Sequence, residues 1–291
     1  MNTKTDALPP PILSSSQNRI SRNKKYSVSL ALGAYAIALI LLFLPALFVC
    51  LQAFGDGIGA FFSNISQPEA VSAIQLTLAV TMISILINSF FGIMGAWCLT
   101  KFEFFGKKIL IALIDIPLAT SPVIAGMVWL LVFGEKGWFG KALAQIGVHI
   151  IYTPYGVLLA TLFVTFPFVA RTLLPIMQTT QRDMEESALL LGAGFTTILF
   201  KVTLPQAGSA LLSGVLLTTA RALGEFGAVV VVSGHIPGFT ETVPLQIETL
   251  YNSYETTAAF SLAIVLVVLS LGIVLLRRFS QQGQSYQGNL P

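Results

Sequence analysis

The sequence predicts an all-α integral membrane protein of six transmembrane helices, with both termini in the cytoplasm. Three observations carry that expectation. The 291 residues are 55% hydrophobic and only 10% charged, where an ordinary soluble domain holds about 25% charged residues. Six stretches are long and apolar enough to cross a bilayer, which takes roughly 20 residues. The basic residues gather in loops that six crossings place on one face, the cytoplasmic face under the positive-inside rule.

The elements follow in chain order. Residues 1–27 are polar, with Pro9, Pro10 and Pro11 followed by Ser14, Ser15 and Ser16. That composition reads as a disordered cytoplasmic tail, too long and too polar for a bacterial signal peptide. The spans read as 28–54, 73–99, 109–133, 156–177, 210–233 and 258–276, the third interrupted by Asp115, Pro117 and Pro122. Residues 28–278 make one membrane domain, since no polar stretch is long enough for a soluble core. Residues 279–291 read as a short cytoplasmic tail. On the outer side, 137–147 puts Trp138, Leu143 and Ile146 at roughly helical spacing, as in a short interfacial helix with its indole at headgroup level. Residues 242–254 read as a second such helix. Both helices either cap the bundle or offer a docking surface to a solute-delivering partner.

Charge sets the orientation. Lys4, Arg19, Arg22, Lys24 and Lys25 precede the first span, and Lys101, Lys107 and Lys108 lie between the second and third. Arg182 and Lys201, with Arg171 at the edge, lie between the fourth and fifth, and Arg277 and Arg278 follow the sixth. The opposite face has only Lys136 and Lys141. These loops account for the net charge of +3, which does not suggest a nucleic-acid partner. Cys50 and Cys98 fall near opposite faces of the membrane, too far apart to pair. His149 and His235 stand alone in or near outer loops, with no metal-ligand spacing around them. The chain has no G-x-x-x-x-G-K-[ST] phosphate loop, no H-E-x-x-H and no G-x-S-x-G. Neither ATP hydrolysis nor covalent chemistry is therefore expected of it, and no cofactor.

Residues 186–205 are the most informative stretch. The order is Glu186, Ser187, Ala188, three residues, Gly192, nine residues, Val202, one residue, Leu204, Pro205. Asp183, Glu185 and Glu186 favour the start of a short helix, where carboxylates meet the positive end of the dipole. Gly192 stands where a C-terminal cap would end that helix. Gly194 opens a second one, being only slightly worse than Ser or Thr as an N-cap. Phe195, Ile198, Leu199 and Val202 then recur at three- and four-residue steps, and Pro205 ends the element. A cytoplasmic loop with so much apolar surface must bury it, on its own bundle or on a partner.

This spacing resembles the cytoplasmic coupling loop of ABC importer permeases, E-A-A, three residues, G, nine residues, I, one residue, L-P, with Ser187 in place of the middle Ala. The resemblance implies a type I ABC importer permease fold in which the loop, residues 178–206, docks on a separate ATPase subunit. It implies that Glu186 caps or anchors the first helix, that Ala188 permits close packing and that Gly192 makes the bend. Phe195 and Val202 would present the apolar face, and Leu204 with Pro205 would fix the passage into the fifth span.

Three charges fall inside expected spans. Arg221 and Glu225 lie mid-span in the fifth, four residues apart and able to pair on one helix face. A charge near the bilayer centre costs about 2.5–3.5 kcal/mol, so the pair must face protein or a water-filled path. Gly224 and Gly227 allow close helix packing there. The pair serves either as part of a pathway or gate, or as a structural ion pair that fixes register. Asp115, near the cytoplasmic end of the third span, either snorkels or caps backbone groups freed by Pro117.

Residues 112–134, 161–178 and 220–238 resemble the sulfate/thiosulfate importer permeases. Residues 204–208, 233–238 and 245–255 are most similar to the W-type subunit. That resemblance implies a heterodimer with a T-type permease, two copies of an ATP-binding subunit and a sulfate-binding protein outside, all around a plasma-membrane permease. Molybdate and tungstate permeases share the ARALGEFG pattern of residues 220–227, so the oxyanion stays open. An ion-gradient transporter would use Arg221, Glu225 and Asp115 as a relay. It would be expected to show paired broken helices in an internal repeat and leaves residues 186–205 unexplained.

Overall fold

A computed structural model describes the backbone of residues 13–179 and 182–287, and side chains over 30–178 and 184–275. Among the described residues the protein is helical, with no strand. It divides into two compact units, Met1–Leu51 and Gln52–Pro291. The first holds most of a single helix, α1 (Leu13–Ala53, 41 residues). All its side chains over 30–48 are exposed, so nothing in this unit covers its apolar surface. Part of the segment read as a disordered tail is therefore helical. Extending a nucleated helix adds one hydrogen bond per residue fixed, which carries α1 back through the polar residues to Leu13. The first 12 residues, and the end of the C-terminal tail at 288–291, lie outside the described residues.

The second unit contains α2 (Ile58–Ile65), α3 (Pro68–Lys101), α4 (Lys107–Ala119), α5 (Pro122–Phe133), α6 (Gly140–Gln145), α7 (Pro154–Thr165) and α8 (Pro167–Thr179). Then come α9 (Arg182–Leu190), α10 (Phe195–Ile198), a π-helical turn (Leu199–Thr203), α11 (Leu204–Gln206), α12 (Gly208–Leu223), α13 (Val229–Ser233), α14 (Val243–Asn252) and α15 (Thr256–Gln287). Proline opens α3, α5 and α7. It has no N–H to leave unsatisfied in the first turn, and its φ is already helical.

Helix α3 is the axis of this unit. Its 34 residues span about 51 Å at 1.5 Å per residue, longer than a hydrocarbon core of roughly 30 Å. Its buried positions include Ala70, Ala73, Thr77, Thr81, Ser84, Asn88, Gly92 and Ala96, a stripe of mostly small residues. Small residues let helix backbones approach closely where lipid gives no hydrophobic drive to associate. At Gly92 a Cβ would lie 2.7 Å from the Val169 Cβ of α8. At Gly214 of α12 it would meet the Thr172 hydroxyl and lie 3.1 Å from the Val169 backbone. Helices α3, α8 and α12 thus interlock around two glycines. Asn88 adds a polar tie, its amide donating to the Thr165 hydroxyl of α7 at 2.7 Å.

The core is layered along α3. At its beginning, Ala70 and Ala73 pack with Val243, Leu250, Ala258, Ala259 and Leu262. Val80 packs with Val157, Ala160, Val229 and Leu245, flanked by Trp129, Leu130 and Phe133. At the far end Ala96 and Trp97 pack with Val169, Leu173, Met177, Leu199, Ala207 and Ala210. Leu99 packs with Ile114 and Ala170, beside Ile111.

Two expected spans are broken. The third is α4 and α5, bent by 109°. Thr120 and Ser121 are extended there, as the residue before Pro122 must tend to be. The fifth is shorter than expected: α12 ends at Leu223 and follows the segment Phe195–Gln206 at a bend of 75°. Four helices are long and apolar enough to cross a membrane by themselves, Leu30–Ala53, Pro68–Lys101, Pro154–Gln178 and Thr256–Leu275, or up to six elements if each bent pair is one span. Of the two short helices expected in outer loops, α6 forms within 137–147 beside an exposed Trp138, and α14 forms within 242–254. Helix α14 buries Val243, Leu245 and Leu250 in the layers just described, so much of it is core rather than surface.

Candidate functional site

The segment from α9 to α12 is built by its glycine. After α9 the chain turns at Gly192, whose φ is +83°. The Gly192 N–H donates to the Leu189 carbonyl at 2.9 Å, and the Ala193 N–H donates to the Ala188 carbonyl at 3.0 Å. This pair of bonds is the Schellman arrangement, which satisfies carbonyls left over at a helix end and places a left-handed residue at the turn. Ala188 contributes its carbonyl here. Gly194, extended at φ −72° and ψ 161°, then caps α10 through its own carbonyl, which accepts the Ile198 N–H at 3.0 Å.

The anchor of α9 is Glu185, not Glu186. Glu185 is 6% exposed while Glu186 is exposed. The Thr203 hydroxyl donates to Glu185 Oε1 at 2.6 Å, and Lys101 Nζ pairs with Oε2. Adjacent residues on a helix point about 100° apart, so burying one carboxylate turns its neighbour outward. The sequence pattern singled out the outward one.

The apolar face is divided between bundle and exterior. Ile198 and Leu199 are buried, Leu199 within the Trp97 layer, so this part of the apolar face is covered by the chain's own bundle. Val202 and Leu204 are half-buried, and Pro205 is exposed in the three-residue α11 that precedes the bend. Phe195 packs edge-on against Trp97, with centroids 3.9 Å apart, and lies 6.5 Å from the Phe102 ring. It keeps half its surface exposed. Within this segment the most exposed apolar residues are ones the spacing did not mark, Leu190 at 90% and Leu191 at 88%, with Leu189 beside them in sequence and Phe200 also exposed.

The charges that fall inside expected spans form two separate pairs. Arg221 Nη1 and Glu225 Oε2 lie 2.5 Å apart. The pair is not mid-helix, since Arg221 is in the last turn of α12 and Glu225 lies beyond it. There Glu225 Oε1 accepts the Ala228 N–H at 2.9 Å, a donor left over at the start of α13. A carboxylate at a helix start and a cation in a last turn both suit the local dipoles. The hydrogen bonds that Asp115 accepts come from a side chain rather than from freed backbone groups. Arg171 of α8 donates to it through Nε at 2.8 Å and Nη2 at 3.0 Å, a bidentate pair that ties α4 to α8. Both of its members remain partly exposed, as does Arg221.

Among the described residues no group of His, Cys, Asp or Glu could hold a metal ion. The buried carboxylate Glu241 accepts from the Thr249 hydroxyl at 2.8 Å and sits 3.9 Å from His235, so His235 is less isolated than its sequence position suggests.

The family model described as binding-protein-dependent transport system inner membrane component matches residues 89–285. The chain is 41% identical over 253 residues to the sulfate transport system permease protein CysW of Synechocystis sp., covering 87% of this chain and 91% of that protein. It is 42% identical over 252 residues to the protein of the same name from Escherichia coli strain K12, covering 87% and 86%. Its fold matches a chain in the crystal structure of a bacterial ABC transporter involved in the import of the acidic polysaccharide alginate. That match has TM-score 0.74 and 18% identity, over 91% of this chain and 99% of the other.

Proposed function

Because the chain belongs to the family of binding-protein-dependent transport system inner membrane components, we propose that it is the W-type permease subunit of an importer that moves sulfate or thiosulfate into the cytoplasm. The energy comes from ATP hydrolysis on two copies of a separate subunit. Its membrane partner is a T-type permease, its solute is delivered by a sulfate-binding protein outside, and the assembly lies in a bacterial inner membrane with both ends of this chain in the cytoplasm.

The observation that carries the reading is the segment from α9 to α12. A Schellman turn at Gly192 presents Leu190 and Leu191 almost fully exposed at the end of a helix held by Glu185. Two adjacent leucines so placed favour a partner surface, and the relatives' names point to sulfate. Mechanically, closure of the ATPase pair displaces α9, the bundle opens outward to receive the anion, and hydrolysis resets it. Gly192, Ala188, Phe195, Val202, Leu204 and Pro205 belong to that coupling segment, with Glu186 at its outer face. Arg221, Glu225, Asp115 and Arg171 supply polar surface within the apolar bundle. The partial exposure of Arg221, Asp115 and Arg171, with Glu225 buried behind its partner, suits a water-lined path or a protein interface better than lipid.

The test is uptake of radiolabelled sulfate in cells lacking this chain. Lost uptake, restored by the gene and resistant to excess molybdate, is the expected result. Sulfate uptake left intact with molybdate uptake lost moves the substrate to the other oxyanion. Uptake that collapses with the ion gradient while ATP is maintained replaces the importer reading by that of a secondary transporter.

A further inference from the structure

Helix α9 has α10 and the π-helical turn as its nearest backbone neighbours. Between it and the end of α3 lies a cavity of about 480 Å³, lined by Trp97, Phe102, Leu189, Ala193, Phe195 and Ile198 among others. One carboxylate reaches both sides. Glu185 Oε2 pairs with Lys101, the last residue of α3, and Oε1 accepts from Thr203, the last residue of the π-helical turn that leads through α11 to α12. Lys101 suits its place, since a cation stabilises the C-terminal end of a helix. Both carboxylate oxygens are thus held, each by a different element.

We propose that the Lys101–Glu185–Thr203 network is the positioning device that delivers the displacement of α9 to the bundle, through Lys101 to α3 and through Thr203 to α12. This rests on the importer reading above. The physical ground is stiffness. The cavity separates α9 from the end of α3, so the direct link between those two helices is the Lys101–Glu185 pair, beside the indirect path through Phe195 of α10 on Trp97. Its members are largely withdrawn from water, which makes the pair strong and sensitive to geometry. The two recipients are the right ones, because α3 and α12 interlock with α8 at Gly92 and Gly214. A movement entering at Lys101 and Thr203 therefore reaches three packed helices together. A π-helical turn is a common place for function inside a helix, and here its last residue is one of the two handles. Lys101, Glu185 and Thr203 act through the helices they join and are positioning residues.

The test uses the complete importer reconstituted in proteoliposomes, with two readouts: ATPase subunit retained on affinity purification, and radiolabelled sulfate moved per ATP hydrolysed. For Lys101→Met we expect retention of the ATPase and a fall in sulfate per ATP of at least about fivefold, the lower end of usual coupling factors. Lys101→Arg should restore most of the ratio, and the exchange Lys101→Glu with Glu185→Lys a part of it. Glu185→Gln keeps volume and the Thr203 hydrogen bond, and replaces the Met variant if that one fails to accumulate in the membrane. A wild-type ratio in Lys101→Met, or in Glu185→Gln where it stands in, overturns the proposal. So does equal loss in the Met and Arg variants, since that excludes the charge as the cause. If the wild-type chain itself retains no ATPase subunit, the importer reading fails first and the role of the Lys101–Glu185–Thr203 network fails with it.

Discussion

At Gly192 the backbone requirement can be separated from the side-chain requirement. Its φ is +83°, yet a Cβ built there meets nothing within 4 Å. Any penalty within this chain is therefore conformational, about 1–2 kcal/mol for an L-residue held in the left-handed region and less for Asn, which visits it readily. If the turn matters for its shape, Gly192→Asn should keep about half or more of sulfate uptake. Gly192→Val, β-branched, should lose roughly tenfold, while both reach the membrane in wild-type amounts. An Asn variant as defective as Val would mean that a docked partner excludes the Cβ itself, and the backbone account would fall. At Glu225 the two oxygens have different duties, one toward Arg221 and one toward the Ala228 N–H. Exchanging Arg221 and Glu225 is thus not a symmetric test, because Arg at 225 has no acceptor for that N–H. Glu225→Gln keeps the acceptor and removes the charge. Paired with Arg221→Met it should retain most of the thermal stability in detergent. Glu225→Met alone should lose about 3–5 kcal/mol, by leaving Arg221 unpaired and the cap unmade. A single Met variant as stable as wild type would show that the pair is not structural. The turn at Gly192 was legible in the sequence because a positive φ demands a residue type. The choice of Glu185 over Glu186 was not, because it depends on the rotation of α9 against Lys101 and Thr203, far away in sequence.

Among the elements, α3 carries the packing, and its glycines divide into two kinds. Gly92 lies where a Cβ would press on Val169, whereas Gly95, on the same helix, has nothing within 4 Å. Substituting Leu at each gives an internally controlled prediction. Gly92→Leu should wedge α3 from α8, at the 1–3 kcal/mol typical of overpacking or somewhat more, and lower the melting temperature in detergent. Gly95→Leu should be neutral or slightly stabilising, since Leu is the better helix former. Equal shifts at both sites would remove close packing as the explanation. The break between α4 and α5 was written in the sequence by Pro122, which forces the preceding residue out of helix. The break between α12 and α13 was not read there. Gly224 and Gly227 suit close packing and a helix end alike, and only the cap made by Glu225 decides between them. Arg171 and Asp115 were each noted, yet 56 positions separate them, and no local pattern joins residues so far apart.

For the second unit as a whole, the layers along α3 bear on how many times the chain crosses. Ile111 and Ile114 of α4 sit at the level of Leu99, while Trp129, Leu130 and Phe133 of α5 sit at the level of Val80. Those levels are 19 residues apart on one helix, about 28 Å at 1.5 Å per residue, close to the roughly 30 Å of a hydrocarbon core. A re-entrant loop would return to the level from which it started, so the layering favours one broken crossing for α4 and α5 despite the 109° bend. Helices α7 and α8 then run back, from Val157 at the Val80 level to Met177 at the Trp97 level. This puts α9 at the same end as Lys101, as their ion pair requires. With the basic loops facing the cytoplasm, a reporter placed after Phe105 should lie inside and one placed after Lys141 outside. Alkaline phosphatase, which folds only outside, should be active at the second position and silent at the first, and a fluorescent protein that matures only in the cytoplasm should give the reverse. Both positions reporting the cytoplasmic side would make α4 and α5 a re-entrant loop. It would also place α9 away from the face where ATP is, and the importer reading could not survive that.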